Sequence, residues 1–217
     1  MNMANHKEMT FYHGTMGSRK SLELMLDQYR RQEKMHHNTL IIKPGLDDRT
    51  MDTIYTRAFG GEERAALILP TGAEAGHFIN EAIHQKLGVR ATQAAEWTIY
   101  ADEINFFSQE QVASMRSEIV DNDIADVNMY GLLNDAFGNL FPGSAAALKY
   151  SDRIIQLDNI CDNEGCDRTA IRNARILDNE IIYEGEQIAV DKPGAPYSYM
   201  ALCHRDYSRG FVKPHLQ

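Results

Sequence analysis

The chain has 217 residues, with 22 Lys and Arg against 31 Asp and Glu for a net charge of −9, and 43% of its residues are apolar. That composition supports a soluble globular protein with a packed core and excludes disordered, collagen-like and low-complexity chains. The acidic balance argues against a nucleic-acid-coating or membrane-coating protein, and three Cys cannot build a disulfide framework.

A short strand is expected around Met9–His13, ending at Gly14, followed by a helix in which Leu22, Met25, Leu26 and Tyr29 recur at i, i+3, i+4, i+7. A second strand spans Thr39–Lys43, and the polar stretch Leu46–Glu63 reads as a long loop. Residues 73–87 form a helix carrying Phe78, Ile79, Ile83 and Leu87 that stops at Gly88. Then come a strand Trp97–Ala101, a helix Gln109–Val120, a strand Val127–Tyr130, a helix Ser144–Tyr150 and a strand Arg153–Leu157. Strands alternating with helices imply βαβ units and a mostly parallel sheet. From Asn159 the helical period fades and all three Cys appear. Short β-like runs follow at Ile181–Tyr183, Gln187–Val190 and Tyr199–Leu202, which divides the chain into 1–158 and a small lobe at 159–217. No run of eighteen apolar residues and no apolar signal core is present, so the expected location is cytoplasmic.

Three constellations carry chemistry. His13-Gly14-Thr15-Met16-Gly17-Ser18-Arg19-Lys20-Ser21 has the glycine, lysine and hydroxyl spacing of a phosphate-cradling P-loop between a strand and a helix N-terminus, with Arg19 where a second glycine is expected. Trp97–Ala101 ends on Asp102-Glu103, two carboxylates that could divide metal binding and proton removal. Cys161, Cys166 and Cys203 have loose zinc-ribbon spacing, with Asp206 or His204 to complete the set; three unrelated thiols are the alternative.

With these sites in this order, the chain resembles the type II thymidine kinases over about Phe11 to Tyr207. The most specific stretch, Tyr130 to Ser144 continuing through Ser151–Leu157 to Cys161, is similar to the family's "YGLRtDFrgelFpGS…aDkivkLkaiC". Asp102-Glu103-Ile104-Asn105-Phe106-Phe107 is similar to "DEaQFf", and Tyr199–Cys203 to "YvsvC".

The resemblance implies an α/β P-loop NTPase-like parallel sheet flanked by helices, with a zinc-ribbon-like β lobe and a lasso loop around 190–199. It implies ATP- and Mg²⁺-dependent phosphorylation of a deoxynucleoside 5′-hydroxyl. Gly14, Thr15, Met16, Gly17, Ser18, Arg19, Lys20 and Ser21 would then bind ATP together with Asp47 and Arg49 of the D-x-R loop. Ser21 and Asp102 would organise Mg²⁺, and Glu103 would be the catalytic base. Leu133, Ala136, Phe137, Asn173, Val190 and Tyr199 would surround the nucleoside. Structural Zn²⁺ would sit on Cys161, Cys166, Cys203 and Asp206, with His204 as the other fourth ligand. Expected partners are nucleosides and nucleotides, with no membrane or nucleic acid, and the assembly a homotetramer.

The chain departs from the family at four places. Arg19 replaces the P-loop glycine, and the family's Arg and base-stacking Phe are Leu133 and Ala136, with Phe137 next door. The lasso has Asp191-Lys192-Pro193-Gly194-Ala195-Pro196 in place of Ile-Gly-Gly. Asp206 stands where the family has Cys or His. Losing a stacking ring removes about 1–3 kcal/mol of base binding. Two functions follow: a kinase for thymidine or a 5-modified pyrimidine deoxynucleoside, or a catalytically silent relative acting as a nucleotide-binding or protein-binding scaffold.

Overall fold

β-Branched and aromatic runs build the strands that hold the molecule together. The computed structural model describes residues 6–45, 53–56, 62–87, 96–185 and 196–213. In chain order the elements are β1 (Met9–His13), α1 (Lys20–Met35), β2 (Asn38–Pro44), β3 (Thr53–Thr56), β4 (Glu62–Ala65), β5 (Leu67–Leu69), α2 (Ala75–Leu87) and β6 (Trp97–Ala101). A 3₁₀ turn at Ile104–Phe106 leads to α3 (Gln109–Ser114), which continues as a π-helical turn over Met115–Val120. Then come β7 (Asp126–Gly131), α4 (Pro142–Tyr150), β8 (Arg153–Gln156), β9 (Arg172–Leu177), β10 (Glu180–Ile182), β11 (Ser198–Leu202) and α5 (His204–Arg209).

Six strands form one sheet in the order β5-β2-β6-β7-β1-β8, every neighbouring pair parallel. Both faces of such a sheet are covered, which is why every residue of β6 is buried. The two-residue period of each strand divides its side chains between the faces. Phe11, Leu40, Ile42, Ile99, Val127 and Met129 meet Ile79, Val112, Met115 and Ala146 from α2, α3 and α4. Ile41, Tyr100 and Tyr130 face the other way, toward Leu24 and Met25 of α1 and Ile54 of β3. On that second face Tyr12 and Tyr130 stack at 4.6 Å, 3° from parallel.

The helix α1 docks differently from its apolar period. Leu26 and Tyr29 are 53% and 54% exposed, whereas Leu24, Met25 and Gln28 are buried. Beside the apolar contacts of Leu24 and Met25, polar groups on the sheet fix the helix. Asp27 accepts from the Tyr100 hydroxyl at 2.7 Å and from Asn128 Nδ2 at 3.2 Å. Arg31 donates to Thr98 and Asp126 at 3.0 and 2.9 Å, and Gln28 donates to Thr39 at 3.1 Å.

Part of the stretch expected as a loop over 46–63 is strand instead. β3 and β4 pair antiparallel, Thr53 opposite Ala65 to Thr56 opposite Glu62. The expected helix stop at Gly88 and the β-like run 187–190 lie outside the described residues. Near the C-terminus β10-β9-β11 form an antiparallel sheet, over which Cys161, Ala174, Ile176, Met200 and Leu202 make a separate apolar cluster. Among the described residues no helix is long and apolar enough to cross a membrane.

Arg19, the residue before α1, has φ 64 and ψ 26, the left-handed region, with no side-chain cap. A side chain there costs about 1–2 kcal/mol that glycine avoids. Arg19→Gly is therefore expected to stabilise the ligand-free protein by about 1 kcal/mol, a rise of roughly 2–4 °C in Tm for a chain of this size. A melting curve shifted downward would contradict this reading.

Candidate active site

The carboxyl ends of the parallel strands lie along one edge, and the functional side chains gather there. The P-loop runs from the end of β1 to the start of α1. Thr15 and Ser18 are buried, Gly14 and Met16 half-buried, and Gly17 and Arg19 exposed at the tip. Lys20 folds back over the loop, its Nζ donating to the carbonyls of Thr15 at 2.8 Å and Gly14 at 3.2 Å. Ser21 follows in the first turn of α1, whose leading backbone N–H groups have no partner within the helix and present partial positive charge.

Across from this loop β6 ends on Asp102, which is buried, and Glu103, which is half-buried. Burial and the neighbouring Glu103 push the Asp102 carboxyl up to about 7, against the pull of Lys20 and Lys43. Burial likewise lowers the Lys20 ammonium, while Glu103 and Asp102 draw it back up. The pair of acids and the lysine thus share one electrostatic site. Glu103 sits at φ 52, ψ 44, in left-handed backbone at the start of the 3₁₀ turn. Glycines make room for that turn: a Cβ on Gly143 would lie 2.1 Å from the Ile104 carbonyl oxygen, and one on Gly131 2.7 Å from Asn105 Oδ1. Non-glycine residues held in such backbone concentrate where geometry serves function.

Two features of this edge escaped the sequence reading. Lys43, 1% exposed at the end of apolar β2, donates to the Thr53 carbonyl at 3.3 Å and bears on Asp102. A lysine ending an otherwise apolar run, in parallel register with the strand that carries Asp102, was the available signal. Asn159 also went unnoticed; its Nδ2 donates to Thr15 Oγ1 at 3.1 Å and to the Met16 carbonyl at 3.0 Å, gripping the P-loop from the chain after β8.

The residues expected around the nucleoside fall into two groups. Asn173 is buried, accepts the Met16 N–H at 2.8 Å and donates to the Asn134 carbonyl at 3.4 Å. With Leu133, His13 and Arg172 it lines a cleft behind the P-loop. Phe137 and Tyr199 belong to the second group, gathered with Tyr197 around the Arg175 guanidinium. Ala136 is buried, and its carbonyl accepts the Tyr207 hydroxyl at 2.9 Å. Asp47, Arg49 and Val190 lie outside the described residues.

The Cys set converges. Ligand atoms of Cys161, Cys166, Cys203 and Asp206 all lie within 4.8 Å of one another. His204, the other fourth-ligand candidate, is exposed and is not part of this cluster. Asp206, two residues further into α5, is only 1% exposed and is the carboxylate that turns inward. Thiol hydrogen bonds, that of Cys166 foremost, hold Asp206 down to about 2, so the set supplies a carboxylate that is ionised at neutral pH. Three sulfurs and one carboxylate oxygen at these separations are compatible with tetrahedral zinc.

Comparison with known proteins identifies the family. The thymidine kinase family model matches residues 7–207. The thymidine kinase of Legionella pneumophila (strain Lens) is 32% identical over 204 residues, covering 94% of this chain and 90% of its own. That of Idiomarina loihiensis is 31% identical, covering 91% and 94%, and that of Vibrio cholerae 31%, covering 92% and 96%. With the family model matching residues 7–207 and relatives above 30% identity covered over nine-tenths of their length, the chain belongs to the thymidine kinase family.

Proposed function

We propose that this protein transfers the γ-phosphoryl group of ATP to the 5′-hydroxyl of thymidine or a 5-substituted pyrimidine deoxynucleoside. The observation that carries the reading is the convergence of Lys20, the α1 N-terminus and the Asp102-Glu103 pair at one edge of the sheet. Phosphoryl transfer asks the protein mainly for positioning and charge stabilisation. Lys20 and the amides of α1 would hold the donor phosphates, with Asp47 and Arg49 approaching them. Mg²⁺, bound by Ser21 and Asp102, would neutralise charge on those phosphates. Glu103 would take the 5′-hydroxyl proton as the oxygen attacks the γ-phosphorus and the bond to the ADP oxygen breaks. Leu133, Asn173, Phe137, Tyr199 and Val190 would confine the nucleoside. Zinc on Cys161, Cys166, Cys203 and Asp206 would staple the small lobe, whose apolar cluster is modest. The exposed Leu26 and Tyr29 of α1 offer an apolar surface for a homotetramer, and the setting is cytoplasmic.

A panel of deoxynucleosides with labelled ATP tests the reaction. Thymidine or a 5-substituted deoxyuridine is expected to be phosphorylated, and Glu103→Gln to lower kcat by about 10²–10⁴-fold, the usual contribution of a positioned base. No turnover across the panel would instead favour the silent scaffold, the reading to which Arg19 and the buried Ala136 lend support. Zinc is tested separately by metal analysis of the purified protein. One zinc per chain is expected, lost in Cys161→Ser and in Asp206→Ala but kept in Asp206→His; an Asp206→Ala protein with full zinc would remove the carboxylate from the ligand set.

A further inference from the structure

β9 serves two surfaces. Ala174 and Ile176 enter the apolar cluster beside the cysteines. The intervening residues Asn173 and Arg175 therefore turn to the opposite face of the three-stranded sheet. Ala201 and Tyr199 of β11 stand opposite them in register. Asn173 reaches the P-loop there, as described, and Arg175 reaches further along the same face.

Arg175 is 5% exposed. Burying a guanidinium is costly unless its surroundings compensate. Among the described residues three rings lie against it: its centre lies 5.0 Å from the Phe137 ring, 5.0 Å from Tyr197 and 5.7 Å from Tyr199. Its Nε donates to the Tyr199 hydroxyl at 3.2 Å. A Cβ on Gly185 would lie 3.1 Å from an Arg175 terminal nitrogen and 3.6 Å from the Phe137 ring, so the chain also passes close by at that point. Four segments meet on one planar cation: β9, the loop after β7 through Phe137, the chain at Gly185, and the chain at Tyr197–Tyr199. The last two flank residues 186–195.

We infer that Arg175 is a positioning residue that assembles the nucleoside side of the active site, holding Phe137 and Tyr199 in fixed relation by lying over the Phe137 ring while its Nε donates to the Tyr199 hydroxyl. The inference rests on the proposed kinase reading for its kinetic consequence, but its structural content stands apart. A flat guanidinium presents faces to rings and a directed Nε–H to the Tyr199 hydroxyl together, which a lysine ammonium cannot do. It also accounts for Phe137 without a stacking role: the ring is engaged by Arg175, and the base meets an arrangement in which Arg175 fixes the aromatic residues.

The test compares wild type with Arg175→Lys and Arg175→Met. For both variants the KM for thymidine is expected to rise at least tenfold, while the KM for ATP stays within twofold and zinc content is unchanged. Thymidine KM within twofold of wild type in both variants would overturn the inference. So would a loss shared equally by kcat and both KM values in step with a lowered Tm, which would mark a merely structural residue. A second readout needs no turnover. Hydrogen exchange of the ligand-free protein is expected to quicken at 131–141 and 197–199 in Arg175→Lys, with the P-loop and α2 unaltered; unchanged exchange at both segments would overturn the inference. If wild type phosphorylates no nucleoside, the kinase reading fails and exchange alone decides the role of Arg175.

Discussion

A buried carboxylate beside a part-buried ammonium at the end of a parallel sheet is the constraint on which the rest of this site depends. Parallel strands all terminate at one edge, so whatever chain follows β1 and β6 is brought together there. Asp102 and Lys20 each lose hydration at that edge, and Glu103 acts on both, raising the carboxyl and drawing the ammonium back up. Lys20 donates to the carbonyls of Gly14 and Thr15. An anionic ligand could compete for that ammonium and for the N-terminal amides of α1, a stronger pairing than one with neutral carbonyls. The hydrogen bonds from Lys20 and Asn159 hold the loop in shape.

How much of this was legible depended on whether a local pattern or a tertiary contact decided the outcome. β1 and β6 occur where their apolar and aromatic runs stand, because a strand buried on both faces announces itself by composition. The convergence of the Cys set with Asp206 was likewise readable, since it is a spacing of distinctive side chains. The seating of α1 was not. Its period selects Leu26 and Tyr29, yet Asp27, Gln28 and Arg31 bind polar groups on strands 11 to about a hundred residues away, and that network chose the face. β9 was missed for a related reason: Arg172, Asn173 and Arg175 mask a strand whose polar face turns toward the active site rather than toward water.

Backbone strain at the site falls on two non-glycine residues with unlike support. Glu103 occupies left-handed backbone where the chain turns sharply from β6, and Gly131 and Gly143 lie against that turn so closely that a side chain on either would collide with it. Those two glycines lie in the stretches Tyr130–Asn134 and Phe141–Ser144 that most resemble the family, so part of the resemblance is the imprint of one turn's geometry. Arg19 has no comparable setting. It is exposed, uncapped by its own side chain, and takes the conformation that a glycine would adopt freely. The Glu103 turn is enforced by glycines packed against it, whereas the Arg19 turn closes a loop held by Lys20, Asn159 and Asn173.

The three-stranded sheet shows how little chain is needed to serve two purposes. Six residues of β9 put Ala174 and Ile176 into the cluster beside the cysteines, and Asn173 and Arg175 onto the P-loop and the aromatic group. Because side chains alternate, any displacement of the apolar face moves the polar face with it. The Cys161, Cys166, Cys203 and Asp206 cluster, which ties the chain before β9 to α5, therefore bears on the active site through a single strand. A metal held there would brace Asn173 against Met16 and Arg175 against Phe137 while touching neither pair.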